Sequence, residues 1–173
     1  EQKCGYHFTP RDYFEQNPSE KEKFAENSFR SYAPIKEMQP IATSHIDLDI
    51  VNQSLRGYPA NKLFQFLSAQ FGETETLILM KKYKVGTSKY WDGATVFWQT
   101  DNQNKVRTGK IMLYNSETGK RIKEPYNHVT WVHSVLHKGD YNLKQCFFGE
   151  HLLPEDKSRP VAPVESEKTA LVA

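Results

Sequence analysis

Two cysteines in 173 residues, Cys4 and Cys146, are too few and too far apart for a disulfide framework, and nothing argues for secretion. No apolar run approaches the roughly eighteen residues of a membrane span, and no signal-peptide pattern opens the chain. The chain has no glycine-rich phosphate loop and no Gly-x-Ser-x-Gly nucleophile elbow, which counts against the ATPase and hydrolase classes. Six histidines are scattered along it, and only His133 and His137 share helical i, i+4 spacing, without the Glu of a His-Glu-x-x-His zinc motif. They read as structural or surface imidazoles. Internal repeats and low-complexity tracts are missing too. The expectation is a cytoplasmic protein with no membrane partner.

What the chain does have is material for one ordinary domain, or one domain with pieces of its neighbours. Hydrophobic residues make up 38%, enough for a core, while a mean hydropathy of -0.72 implies a large polar surface. Aromatic residues reach 13%, so the core leans on Phe, Tyr and Trp. A net charge of +2 hides an asymmetry. From Lys81 to Lys123 ten Lys and Arg face three Asp and Glu, a local net of +7 in an otherwise acidic chain. Such a block is the footprint that phosphate-backbone binding leaves.

Residues 15–42 are polar and broken by Pro18, Pro34 and Pro40. They read as a linker with one short helix over Ser19–Asn27, anchored by Phe29, Tyr32 and Ile35. Helical signals begin at Ser44, where Ile46, Ile50, Val51 and Leu55 form an apolar stripe stopped by Gly57. A second helix is expected from Pro59 to Gly72, with Leu63, Phe64, Phe66, Leu67 and Phe71 as its apolar set. A third is expected from Thr74 to Lys82, with Leu77, Ile78 and Met80 as core candidates. Strand signals follow. Ala94–Thr100 is introduced by the turn Trp91-Asp92-Gly93, and Lys105–Tyr114 returns as its partner after Asp101–Asn104. Tyr126–Leu136 suits either a strand or a short helix. Leu143–Phe148 reads as a strand, Gly149–Leu153 as a helical turn and Pro154–Arg159 as an exposed loop. The fold class is therefore α+β: a helical lobe over about 43–82, then a mainly antiparallel sheet to about 153.

The closing stretch carries the sharpest chemical signal. Val161, Ala162 and Val164 suit a buried strand, Glu165 stands at its carboxyl end, and Ser166–Val172 looks like the start of a helix. A carboxylate at the end of a parallel strand, just before a helix, sits where α/β sheets place ligands. The string Val164-Glu165-Ser166-Glu167-Lys168-Thr169-Ala170 resembles the first signature of the toprim domain, the catalytic fold of bacterial primases and of type IA and II topoisomerases. Phe147-Phe148-Gly149-Glu150-His151-Leu152-Leu153 looks like the segment that precedes the toprim strand in replicative primases. Tyr83-Lys84-Val85-Gly86, Ala94–Trp98, Asp101, Val106 and Gly109 follow one another as in the subdomain before it. The resemblance is to toprim-type, primase-like proteins of bacterial mobile elements and covers roughly residues 59–173.

That resemblance implies template-directed, magnesium-dependent nucleotidyl transfer, with single-stranded DNA and nucleotides as partners and Glu165 as a catalytic, magnesium-binding carboxylate. A solvated glutamate at a helix start is the plain alternative. The other toprim carboxylates, an Asp-x-Asp pair, are expected after Glu165, where the chain runs only one helical turn further, so the expectation is a piece of a longer protein that is inactive alone. Cys4-Gly5-Tyr6-His7 has the look of a zinc-ribbon knuckle, with Cys4 and His7 able to supply one or two of four zinc ligands; a free thiol is the alternative. The implied organisation is a zinc-ribbon remnant at 1–14, a linker at 15–42, a primase-like subdomain at 43–158 and the start of a truncated toprim domain at 159–173. Arg107 and Lys110 on the second long strand, and Arg121 and Lys123 beyond it, are the candidates for guiding single-stranded DNA, with Tyr114 or Trp98 for base stacking. The competing readings are a solvated hairpin face, a non-catalytic nucleic-acid-binding module on a toprim-like scaffold, and a nuclease or topoisomerase-like toprim enzyme.

Overall fold

The computed structural model describes residues 9–28, 41–136, 139–153, 158 and 160–173. The chain divides into two units, Glu1–Pro40 and Ile41–Ala173. In the first, helix α1 (Pro10–Gln16) is started by a reciprocal cap, in which the Thr9 hydroxyl accepts from the Asp12 amide while the Asp12 carboxylate accepts from the Thr9 amide. Helix α2 (Pro18–Ser28) follows at once, and Phe14 packs on Phe24 at 5.4 Å between ring centroids. The short helix expected at Ser19–Asn27 is thus present. Cys4, His7, Phe29, Tyr32 and Ile35 lie outside the described residues.

The second unit is α+β, with its helices ahead of a four-stranded antiparallel sheet of order β1-β2-β3-β4. Helices α3 (Leu48–Ser54), α4 (Lys62–Phe71) and α5 (Glu73–Lys82) precede strands β1 (Val85–Ser88), β2 (Ala94–Thr100) and β3 (Val106–Met112). Asp47, not Ser44, caps α3, its carboxylate accepting from the Asp49 amide; Ser44 instead exchanges hydrogen bonds with Asn142. The segment that suited both strand and helix is both in succession, β4 (Val129–Trp131) and then α6 (Val132–Leu136).

Period-two alternation feeds two cores from one sheet. Val85, Phe97 and Met112 pack with Leu63, Phe64 and Leu67 of α4 and Met80 of α5. Ala94, Val96, Trp98 and Ile111 pack with Ile46, with Val51 of α3 and with Val132 of α6. Burial on both faces explains why β2 reads as a nearly continuous apolar run rather than an alternating one. Gly109 is required here, because a Cβ at that position would stand 2.7 Å from the Trp98 ring. Phe71 and Ile78, expected in the core, are exposed on the outer sides of α4 and α5.

Two expected strands are not formed. Pro160–Val164 has no ladder partner among the described residues and is solvent-facing, with Val161 69% exposed. Pro160 and Pro163 each remove an amide donor, which removes the means of joining a sheet from within. Leu143–Phe148 also runs outside the sheet. Its Phe148 ring is stacked on Tyr83 at 5.6 Å and edge-on to Phe97 at 5.5 Å. The two helical turns beside these segments do form: a 3-10 turn at Glu150–Leu152, and helix α7 (Glu167–Val172), capped by the Ser166 hydroxyl.

The β2–β3 turn is closed by Asp101. Its buried carboxylate accepts from the Gln103 and Lys105 amides at 2.9 Å and pairs with Arg107 at 2.7 Å. Burial alone would raise its pKa, but the Lys105 amide, the Arg107 guanidinium and the Gln103 amide together hold it below the usual value. The folded pKa being the lower one, this stabilisation is complete above the unfolded value of about 4 and is lost as pH falls through the folded value. Asp101→Asn is therefore expected to cost about 1–3 kcal/mol at neutral pH. It should also flatten the acid limb of a melting-temperature-against-pH curve; a variant that loses stability below pH 4 as steeply as the wild type would contradict this role.

Candidate nucleic-acid interface

The closing helix is docked by three contacts. Leu171 is buried in the core under α4 and α5. The Glu167 carboxylate accepts from the Lys110 ammonium at 3.0 Å, and the Lys168 ammonium donates to the Gly119 carbonyl at 2.8 Å while standing over the Phe66 ring. These contacts give Glu167 and Lys168 a structural role. Glu165 is exposed and makes no hydrogen bond or ion pair among the described residues. A magnesium ion takes several oxygen ligands, and with Glu167 committed to Lys110 this stretch offers one carboxylate. Among the described residues no group of three or more His, Cys, Asp or Glu could hold a metal ion. Cys146 is a poor ligand or nucleophile, since burial first, then Glu150 and Asp101, push its thiol up to about 12.

The four basic candidates part company. Arg107 is the extra residue at a register skip, where Gln99 pairs with Thr108 but Thr100 with Val106, and it is spent on Asp101. Lys110 lies across from Phe97 and Trp131, sits over the Trp131 ring and is spent on Glu167. The two therefore do not offer unpaired charge on a common strand face. Arg121 and Lys123, by contrast, are exposed and make no ion pair among the described residues. Arg121 bridges Tyr114 just past the end of β3.

Strand register shows what else shares that end of the sheet. Ser88 closes β1 opposite Ala94, which opens β2; Met112 closes β3 opposite Thr95 and Val129. The β1–β2 turn, the exit from β3 and the entry to β4 thus meet at one end. Four rings gather there. Tyr126 lies flat on His128, with centroids 4.3 Å apart and planes 20° apart. His128 meets Trp91 edge-on at 5.1 Å, and Trp91 meets Tyr90 at 4.7 Å. His128 is buried, whereas Tyr126 and Tyr90 are 56% and 51% exposed. The rings expected to stack bases, Tyr114 and Trp98, are core residues: Tyr114 sits beneath α4, and the Trp98 indole donates to the Ser54 hydroxyl at 2.8 Å. A sequence signal for the exposed pair was present, since Lys89-Tyr90-Trp91 and Lys123-Glu124-Pro125-Tyr126 set rings beside bases in turn-forming stretches.

Fold and site together define an α+β domain whose sheet ends in a cluster of exposed cations and rings. The chain belongs to the family described as Domain of unknown function (DUF6371), whose model matches residues 61–173. No curated protein and no solved structure matches it. Among the described residues no helix is long and apolar enough to cross a membrane.

Proposed function

We propose that residues 41–173 guide single-stranded DNA within a toprim-type, primase-like protein that carries out magnesium-dependent nucleotidyl transfer. The observation that carries the reading is the sorting of charge. Arg107 and Lys110 are neutralised by Asp101 and Glu167, while Arg121 and Lys123 are left exposed and, among the described residues, unpaired at the sheet end. Phosphate contacts by such side chains position a strand without reading its sequence. Glu165 supports the catalytic half, because it stands exposed immediately before the capped, firmly docked first turn of α7. It would act there only beside further carboxylates, and among the described residues no such group stands with it.

A second reading, a binding module without catalysis, is favoured by the commitment of Glu167 to Lys110, which leaves the closing segment a single uncommitted carboxylate. Both readings share the DNA contact. An Asp-x-Asp pair after an apolar strand in chain following Ala173 would separate them in favour of catalysis. For the shared part, labelled oligo(dT) is expected to bind at low salt and to be displaced by unlabelled single strand far better than by duplex of equal length. No binding at low salt, or equal displacement by duplex, would contradict the guiding role.

A further inference from the structure

We infer that Tyr126 is a base-stacking platform for single-stranded DNA, with His128 and Trp91 as its fixed backing. The inference rests on the guiding role above and goes further in naming how the strand is held. Tyr126 lies flat on His128 and is still 56% exposed, so one face of its ring is covered and the other open. His128 is 8% exposed and braced edge-on by Trp91, which orders the platform before a ligand arrives. A pre-ordered ring binds a base with little entropy left to lose.

Charge decides that stacking is needed. Lys89, Lys120, Arg121 and Lys123 occupy this end of the sheet, but Asp92, Glu117 and Glu124 are interleaved with them, for a local net of +1. Phosphate contacts alone would then hold a strand weakly and lose it to salt. A base on the outer face of Tyr126 adds a salt-independent term, and it selects unpaired bases, since a duplex keeps its base faces covered. Tyr90, 51% exposed beyond Trp91, stands one ring further along the same cluster.

The test is anisotropy titration of the whole chain with oligo(dT), an abasic oligodeoxynucleotide of equal length and oligo(rU). Tyr126→Ala is expected to weaken oligo(dT) binding about tenfold while leaving its salt slope unchanged. Tyr126→Phe, which keeps the ring, should bind as the wild type does. The wild type should bind the abasic strand about as weakly as Tyr126→Ala binds oligo(dT). Full affinity in Tyr126→Ala, or equal loss in Tyr126→Phe, would overturn the platform; if charge removal at Arg121 and Lys123 still weakened binding, the guiding role would stand without it. Tighter binding of oligo(rU) than of oligo(dT) would overturn the assignment to DNA. Failure of every oligonucleotide to bind at low salt would remove both.

Discussion

Replacing Asn61 with alanine is expected to destabilise the domain by about 3–5 kcal/mol. Asn61 is completely buried where α4, β1 and β2 meet. Its side-chain oxygen accepts from the Leu63 and Phe64 amides, capping α4, and from the Thr95 hydroxyl at 2.9 Å. Its amide donates to the Gly86 carbonyl and the Thr87 hydroxyl. The cap alone contributes about 1 kcal/mol. The larger share comes from the core contacts, because the Thr95 hydroxyl would be left buried without a partner, at about 1–3 kcal/mol, and the Gly86 carbonyl would lose the Asn61 amide, at about 1 kcal/mol. For a domain of this size the melting temperature should fall by roughly 10–20 °C. Thr95→Val removes one of the same bonds together with its polar group and should cost less. The double variant should lose less than the sum of the two, since both act on one shared contact. A melting temperature within about 3 °C of wild type for Asn61→Ala would mean that this junction does not hold the helix to the sheet.

Reversing two charges, Arg121→Glu with Lys123→Glu, is expected to cut affinity for oligo(dT) by roughly fiftyfold or more at 50 mM salt while leaving the melting temperature almost unchanged. The two effects separate because both side chains are exposed and, among the described residues, unpaired, and surface positions of that kind move stability by about 0.5 kcal/mol at most. Each phosphate contact on a single strand contributes about 0.7 to the salt slope, so losing two contacts near 50 mM salt costs between one and two powers of ten, and repulsion adds to that. The same reversal at Arg107 should behave in the opposite way, destabilising the β2–β3 turn through Asp101. That contrast distinguishes a specific sheet end from a generally basic surface.

How much of this was legible in the sequence depends on how far apart the deciding residues lie. Strand β2 was expected over its observed span, Ala94–Thr100, because the turn Trp91–Gly93 and a β-branched, aromatic run mark it locally. Helices α4 and α5 were expected to within a few residues for the same kind of reason, a local apolar face bounded by Pro59 and Gly72. Val161–Val164 and Leu143–Phe148 also carry local strand composition. A strand exists only with a partner, and no local signal says whether one is free. The basic block could be counted from sequence, but its pairing could not. Lys110 meets Glu167 across 57 positions, and only the folded chain shows that this lysine is spent. The aromatic residues divide likewise: Trp98 and Tyr114 are drawn inside by register and helix cover, while Tyr90 and Tyr126 stay out on connections beyond the strand ends. Glu165 reads in the sequence as the end of a buried strand. It is found after an exposed Pro-containing segment, and what survives is its place just ahead of a capped helix.

The most direct measurement of the central claim is the slope of log affinity for oligo(dT) against log salt, taken side by side for the wild type and for Arg121→Ala with Lys123→Ala. If this end of the sheet tracks the phosphates, the double variant's slope should be shallower by about 1.4, two contacts at about 0.7 each. Parallel lines of equal slope, whatever their separation, would mean that the strand runs elsewhere and would contradict the account.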